Sequence, residues 1–211
     1  SAILFSLALW SMAILAIQKS YNQSVSNHID NKIQLMDSMI RSTTESFEEF
    51  SSFYYESFIN QPPVLEIMAE ANDAETSRKD QLRAELYNSL EEDYTLLKQY
   101  DFRQLHFHLK NGDSFLRFHA PDQYGDNLFE VRDSIRIANT EHRYVFGFEE
   151  GRVFSGYRFV YPLSLDGKSV GSVEVSISLC AVIKTLKNIY PTSNFLFLLK
   201  REAVEKTVFL E

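Results

Sequence analysis

Cysteine is nearly absent from this chain. Cys180 stands alone, so an internal disulfide and a multi-cysteine zinc site are both excluded. It lies in the apolar run VEVSISLCAVI, which predicts a buried small hydrophobe rather than a reactive thiol. Glycine and proline are sparse, 7 and 5 among 211 residues, and 45% of the chain is hydrophobic, which is the composition of a folded protein. Positive charge is in deficit: 21 Lys and Arg against 29 Asp and Glu leave a net −8, so no nucleic-acid partner is expected. No HExxH, Walker or GxGxxG pattern occurs, and the one GxSxG match, Gly167 to Gly171, starts at the Asp166-Gly167 hairpin turn rather than at a strand-to-helix elbow.

One apolar run is present. From Ala2 to Ile17 nothing is charged, and only Ser6 and Ser11 are polar. A full span needs about 20 residues, so residues 1–18 read as a truncated membrane anchor. A signal peptide is the rival reading. Trp10, Gln18 and Lys19 favour an interfacial boundary over a cleavage site.

Residues 19–100 read as a helical stalk and packing helices. Ile29, Ile33, Met36, Ile40, Phe47, Phe50 and Tyr54 recur at helical spacing. Gln61-Pro62-Pro63 stops that helix, because proline lacks the amide hydrogen and disfavours a helical predecessor. A short helix over Val64 to Ala71 follows. Ser77 and Asp80 suggest a capping box for a third helix reaching about Tyr100. Its stripe is Leu82, Leu86, Leu90, Tyr94 and Leu97. The apolar face of the first helix has two uses: packing on this later helix, and contact with a second copy in a parallel homodimer.

From Asp101 the period becomes two. Residues 101–190 read as a compact domain built on a sheet. Asn111-Gly112 and Asp166-Gly167 mark two hairpins. A helix near Glu130 to Asn139, a strand RYVFGFEE, a helix CAVIKTLKNIY and a last strand NFLFLLK complete the pattern. Long helices followed by antiparallel strands make an α+β fold.

Two-residue loops allow the register to be written down. In the first hairpin Phe107 faces Leu116 and Leu105 faces Phe118, giving an apolar face. On the other face His106 lies opposite Arg117, His108 opposite Phe115, and Gln104 opposite His119. In the second hairpin Val173 faces Val160. Glu174 faces Phe159, Ser172 faces Tyr161, and Ser176 faces Tyr157. A sheet with one aliphatic face and one polar-aromatic face, partly covered by an insert, suits a small-molecule pocket.

Three readings of the histidines stand at this level. His106 and His108, two apart on a strand, point the same way and suit a metal ion. Arg117 opposite His106 opposes that, because it sets a cation beside a dication. They are otherwise satisfied strand residues, or contacts to a polar or anionic ligand. The adjacent acids in GFEEGR read as a solvated turn. Arg132 either pairs on its own helix or reaches into the pocket. Arg117, Arg132 and Arg152 together favour an anion, since a guanidinium binds a carboxylate with two parallel hydrogen bonds.

The segments LHFHLKNGDSFLRFHAPDQYGDNL, GFEEGRVFSGYRFVYPL and GKSVGSVEVSISL resemble the extracytoplasmic Cache sensory domains of bacterial chemoreceptors, sensor histidine kinases and diguanylate cyclases. They are most similar to the membrane-distal half of a double Cache module, which implies that 101–190 are a PAS-like sensory domain and that 191–211 start a second, incomplete half. The resemblance implies long N-terminal helices packed on a PAS-like antiparallel sheet, with a ligand pocket between sheet and insert. It implies a pocket drawing on His106, His108, Arg117, Arg132, Arg152 and Tyr157, to which the register adds Tyr161 and Glu174. It implies a small-molecule ligand, no cofactor, no enzymatic activity in this segment, and a sensory domain held outside the inner membrane. The competing reading is a membrane-anchored, metal-dependent hydrolase built on the histidine cluster.

Overall fold

The computed structural model describes residues 2–149 and 155–198. It falls into two compact units, Ser1–Thr43 and Thr44–Glu211. The first is helical, formed by most of helix α1 (Ala2–Tyr54). An 18-residue stretch near its N-terminus, of mean hydropathy 1.7, is long and apolar enough to cross a membrane. Ile29, Ile33 and Met36 lie exposed.

In the second unit α1 ends at Tyr54 and closes in one π-helical turn, Tyr55–Ile59. Gln61 is extended, as a residue before proline prefers, and the two prolines open α2 (Pro62–Asp73). Helix α3 spans Thr76–Gln99 and buries the expected stripe of Leu82, Leu86, Leu90, Tyr94 and Leu97. The expected capping box is not used: Glu75 is the N-cap and makes no side-chain cap bond.

Strands β1 (Phe102–His108) and β2 (Ser114–Arg117) form the first hairpin. Helix α4 (Asp133–Glu141) lies in the insert, followed by β3 (Val145–Glu149). Strands β4 (Gly156–Leu165) and β5 (Lys168–Ser178) form the second hairpin, and α5 (Leu179–Ile189) follows. The five strands are antiparallel neighbours in the order β2-β1-β5-β4-β3, so the fold is α+β as expected. Cys180 is exposed, not buried: α5 starts straight after β5 and turns it outward. Residues 194–198 form no strand, and the remainder of the expected last strand lies outside the described residues.

Both hairpins depart from the simple register, with different outcomes. In the first, the Leu109 N–H donates to the Asp113 carbonyl, so the loop has three residues. His108 therefore faces Ser114 and not Phe115 as expected; a bulge between Phe107 and His108 then restores the predicted pairing, with Phe107 facing Leu116 and His106 facing Arg117. In the second, Asp166 and Gly167 both take positive φ, as the two-residue turn requires, and Leu165 faces Lys168. A bulge after Ser164 and Ser169 then shifts every later pair by one residue. Gly171 sits in it at φ +132, and a Cβ there would stand 2.1 Å from the His108 carbonyl oxygen. Beyond it Tyr161 faces Val173, Val160 faces Glu174, Phe159 faces Val175 and Arg158 faces Ser176.

The shift sorts the sheet into two faces. Leu105, Phe107, Leu116, Phe159, Val173, Val175 and Ile177 are all buried on the side of α2 and α3. There Tyr87 and Tyr94 pack on Phe118. The other face carries Gln104, His106, His108, Arg158, Ser172, Glu174 and Ser176. Against it the insert lays Leu128, Ile135 and Ala138 on Val160. The insert also pairs with the outer edge of β2. Ser114 N–H donates to the Asp126 carbonyl, Gly125 N–H to that of Ser114, and Leu128 N–H to that of Gly112.

Candidate functional site

The charged centre of the polar face is Glu174, which is wholly buried in the middle strand. Arg132, at the N-cap of α4, donates through Nη2 to one oxygen of Glu174. Arg158 donates through Nη1 to the other at 2.5 Å. Glu149, at the end of edge strand β3, accepts from Arg132 Nε at 2.6 Å. It also accepts from the Ser134 N–H at 3.1 Å and the Ser134 hydroxyl at 2.7 Å. Two buried guanidiniums thus meet two carboxylates. Burial alone would raise the Glu174 carboxyl; Arg132 and Arg158 overcome it and hold the group well below the usual carboxylate range.

The histidines sit beside this network and are uncharged. The His106 Nε2 and the Ser114 hydroxyl share a hydrogen bond of 2.8 Å, and the His108 Nδ1 and the Ser172 hydroxyl one of 3.0 Å. The two rings lie 4.1 Å apart between centroids. Burial pushes His106 far down and His108 to about 3, and it lowers His119 to about 4. Gln104 accepts from Arg158 and Ser176 at 3.1 Å each and donates to His119 at 3.1 Å. In this cluster His108 Nε2 is buried without a hydrogen-bond partner.

His106, His108 and Glu174 offer ligand atoms within 4.8 Å of one another. The donor types suit a transition-metal dication. The guanidiniums that already occupy both oxygens of Glu174 oppose one, since an ion there would add positive charge to a buried, charge-balanced cluster.

Of the residues anticipated from sequence, His106, His108, Arg132 and Glu174 come together. Arg117 flanks them, but its guanidinium turns to Asp126 with paired bonds of 2.8 and 2.9 Å and to the Gln123 carbonyl at 2.7 Å. It therefore ties the insert to β2. Tyr157 and Tyr161 do not join the site, because the Gly171 bulge turns them to the helix side. There Tyr157 neighbours Phe146, and Tyr161 stacks between Tyr55 and Tyr144. Tyr161 lines a separate groove of about 360 Å³ with Glu48, Tyr55 and Glu56. Arg152 lies outside the described residues.

Arg158, Glu149, Ser134 and Gln104 were not anticipated in the site. Arg158 was hidden by the register, which without the bulge places it opposite Val175 on the core face. Gly171 inside an otherwise regular strand was the available signal. Glu149 was taken for a solvated acid, but it closes the network. Glu174, Glu149 and Asp126 supply the counter-charges of Arg132, Arg158 and Arg117.

An antiparallel sheet with helices on one face and an insert roofing a polar network on the other is a PAS-like architecture. Residues 40–210 match the family described as the double sensory domain of two-component sensor kinases, and the chain belongs to this Cache family. No curated protein sequence matches it. Solved structures share the fold at low identity. The sensor domain of the V. cholerae histidine kinase DctB superposes with a TM-score of 0.59 at 14% identity, covering 77% of this chain and 59% of that one. The E. coli DcuS sensor domain gives 0.52 at 11%, covering 69% and 98%. The ligand-binding domain of the Campylobacter jejuni chemoreceptor Tlp3, in complex with 4-methylisoleucine, gives 0.50 at 14%, covering 74% and 59%. The chain thus spans about three fifths of the DctB and Tlp3 domains it matches. It is a sensory domain, and the hydrolase reading falls away.

Proposed function

We propose that this chain is the extracytoplasmic, ligand-sensing part of a bacterial transmembrane receptor, and that it recognises a small molecule bearing a carboxylate. Residues 1–18 serve as the membrane anchor, consistent with the exposed apolar stretch of α1. The ligand lies between the polar sheet face and the insert, near His106, His108, Arg132, Arg158 and Glu174. One observation carries the reading: Arg132 belongs to the insert, yet it reaches the central strand at Glu174 and the edge strand at Glu149. A ligand that competes for that guanidinium favours one placement of the insert over another, which is what a sensor requires. Neutral imidazoles beside it supply hydrogen bonds without charge. The 4-methylisoleucine held by Tlp3 is an amino acid and so carries the same carboxylate group.

A thermal-shift screen of the full chain in detergent, with organic acids, amino acids and amines, tests this. Carboxylates should stabilise the chain saturably. Stabilisation by amines alone would sink the carboxylate reading.

A further inference from the structure

The Glu149 carboxylate occupies a built anion seat. Three donors at the start of α4 converge on it, and a second guanidinium, from β4, stands nearby. Arg132 Nε stands at 2.6 Å, and the Ser134 N–H and hydroxyl, in the first turn of α4, at 3.1 and 2.7 Å. The Arg158 Nε lies 3.6 Å away. Both guanidiniums are nearly buried, whereas Glu149 remains 22% exposed at the end of an edge strand. Glu174 differs from it: it is fully buried in the central strand.

Two buried guanidiniums need two negative charges, and Glu174 supplies only one. Glu149 supplies the second from the rim, where a carboxylate can exchange without disturbing the sheet centre. A seat that offers one oxygen a guanidinium N–H and a hydroxyl, and the other a backbone N–H of the first helical turn, recognises a carboxylate whichever molecule carries it. We infer that Glu149 is a built-in competitor that holds the ligand's carboxylate seat, and that a carboxylate ligand enters by displacing it from Arg132 and Ser134. The exchange keeps the charge balance. It frees the end of β3 from the start of α4, so occupancy is reported by the insert and the edge strand together. This rests on the sensory reading above and deepens it by naming the group recognised and the contact it replaces.

The test uses the full chain in detergent, with acetate as probe. In Glu149→Ala the seat is vacant, and acetate should raise the melting temperature saturably, by roughly 2–4 °C. Sodium chloride at equal ionic strength should not, and adding Ser134→Ala should remove most of the acetate effect. Acetate acting equally on wild type and variant, or on neither, overturns the inference. If Glu149→Ala does not fold, Glu149→Gln fills the space without the charge. Carboxylates that bind wild type should then bind about tenfold tighter, a difference of about 1.4 kcal/mol; unchanged affinity overturns the competitor role while leaving the sensory reading intact. Conversely, acetate rescue of Glu149→Ala, with no carboxylate binding to wild type, upholds the seat and sinks the ligand class.

Discussion

The imidazoles give the fold a predictable acid response. His108 and His119 are depressed to about 3 and about 4 by burial, and His106 is lowered as well. In the unfolded chain each returns to about 6.5. Above that pH they are neutral in both states and cost nothing. Below it the unfolded chain takes up protons that the folded one refuses, so stability falls as pH drops from about 6.5 toward 4. The slope is about 1.4 kcal/mol per pH unit for each ring that charges on unfolding. Glu174, also depressed, acts in the same direction below the ordinary glutamate range. Urea denaturation at pH 7, 6 and 5 measures the slope, and His108→Gln should reduce it by about one ring's share. A pH-independent midpoint would contradict the burial of the neutral imidazoles.

At the scale of the element, the bulge at Gly171 decides which residues share a face. Any side chain there meets the His108 carbonyl in a backbone conformation that favours glycine. Gly171→Ala should destabilise the chain by on the order of 2 kcal/mol or more, read as a lower denaturant midpoint. It should also disturb the pairing of His108 with Ser172 across the β1–β5 seam. A neutral Gly171→Ala would mean that the strand relaxes into the simple register, which would carry Arg158 to the core face. The insert is an element of another kind. Its tie to the sheet combines backbone bonds along β2, the Arg117–Asp126 pair and the Arg132 network. Leu128, Ile135 and Ala138 add apolar packing on Val160, while the polar ties are the part open to exchange.

For the whole molecule, the exposed apolar residues of α1 bear on assembly. Ile29, Ile33 and Met36 keep the helical stripe read from the sequence, yet they lie open to solvent. We propose that they meet a second copy in a parallel homodimer. Cysteine substituted at Ile29 and at its neighbours, in membranes, should cross-link with helical periodicity, strongest at 29, 33 and 36. Uniform absence of cross-links across the series would refute the dimer. The stripe farther along α1 has other partners: Phe50 stacks on Tyr100 and Phe102.

What the sequence determined by itself was local. Helical spacing of leucines marked α3, the two prolines ended one helix and began the next, and Asp166-Gly167 marked a tight turn, because these signals act within a few residues. The pairing of His106 with Arg117 was legible for the same reason, although two offsets had to cancel. Tertiary structure alone decided the rest. One bulge turned Tyr157 and Tyr161 away and brought Arg158 in, because a sheet alternates its faces every residue and a one-residue slip inverts them. Only the central placement of β5, between β1 and β4, set Glu174 beside His106 and Arg158. Only the fold of the insert carried Arg132 to Glu149 and Glu174. Those partners lie 17 and 42 residues away along the chain, and no local pattern encodes which carboxylate a buried guanidinium will meet.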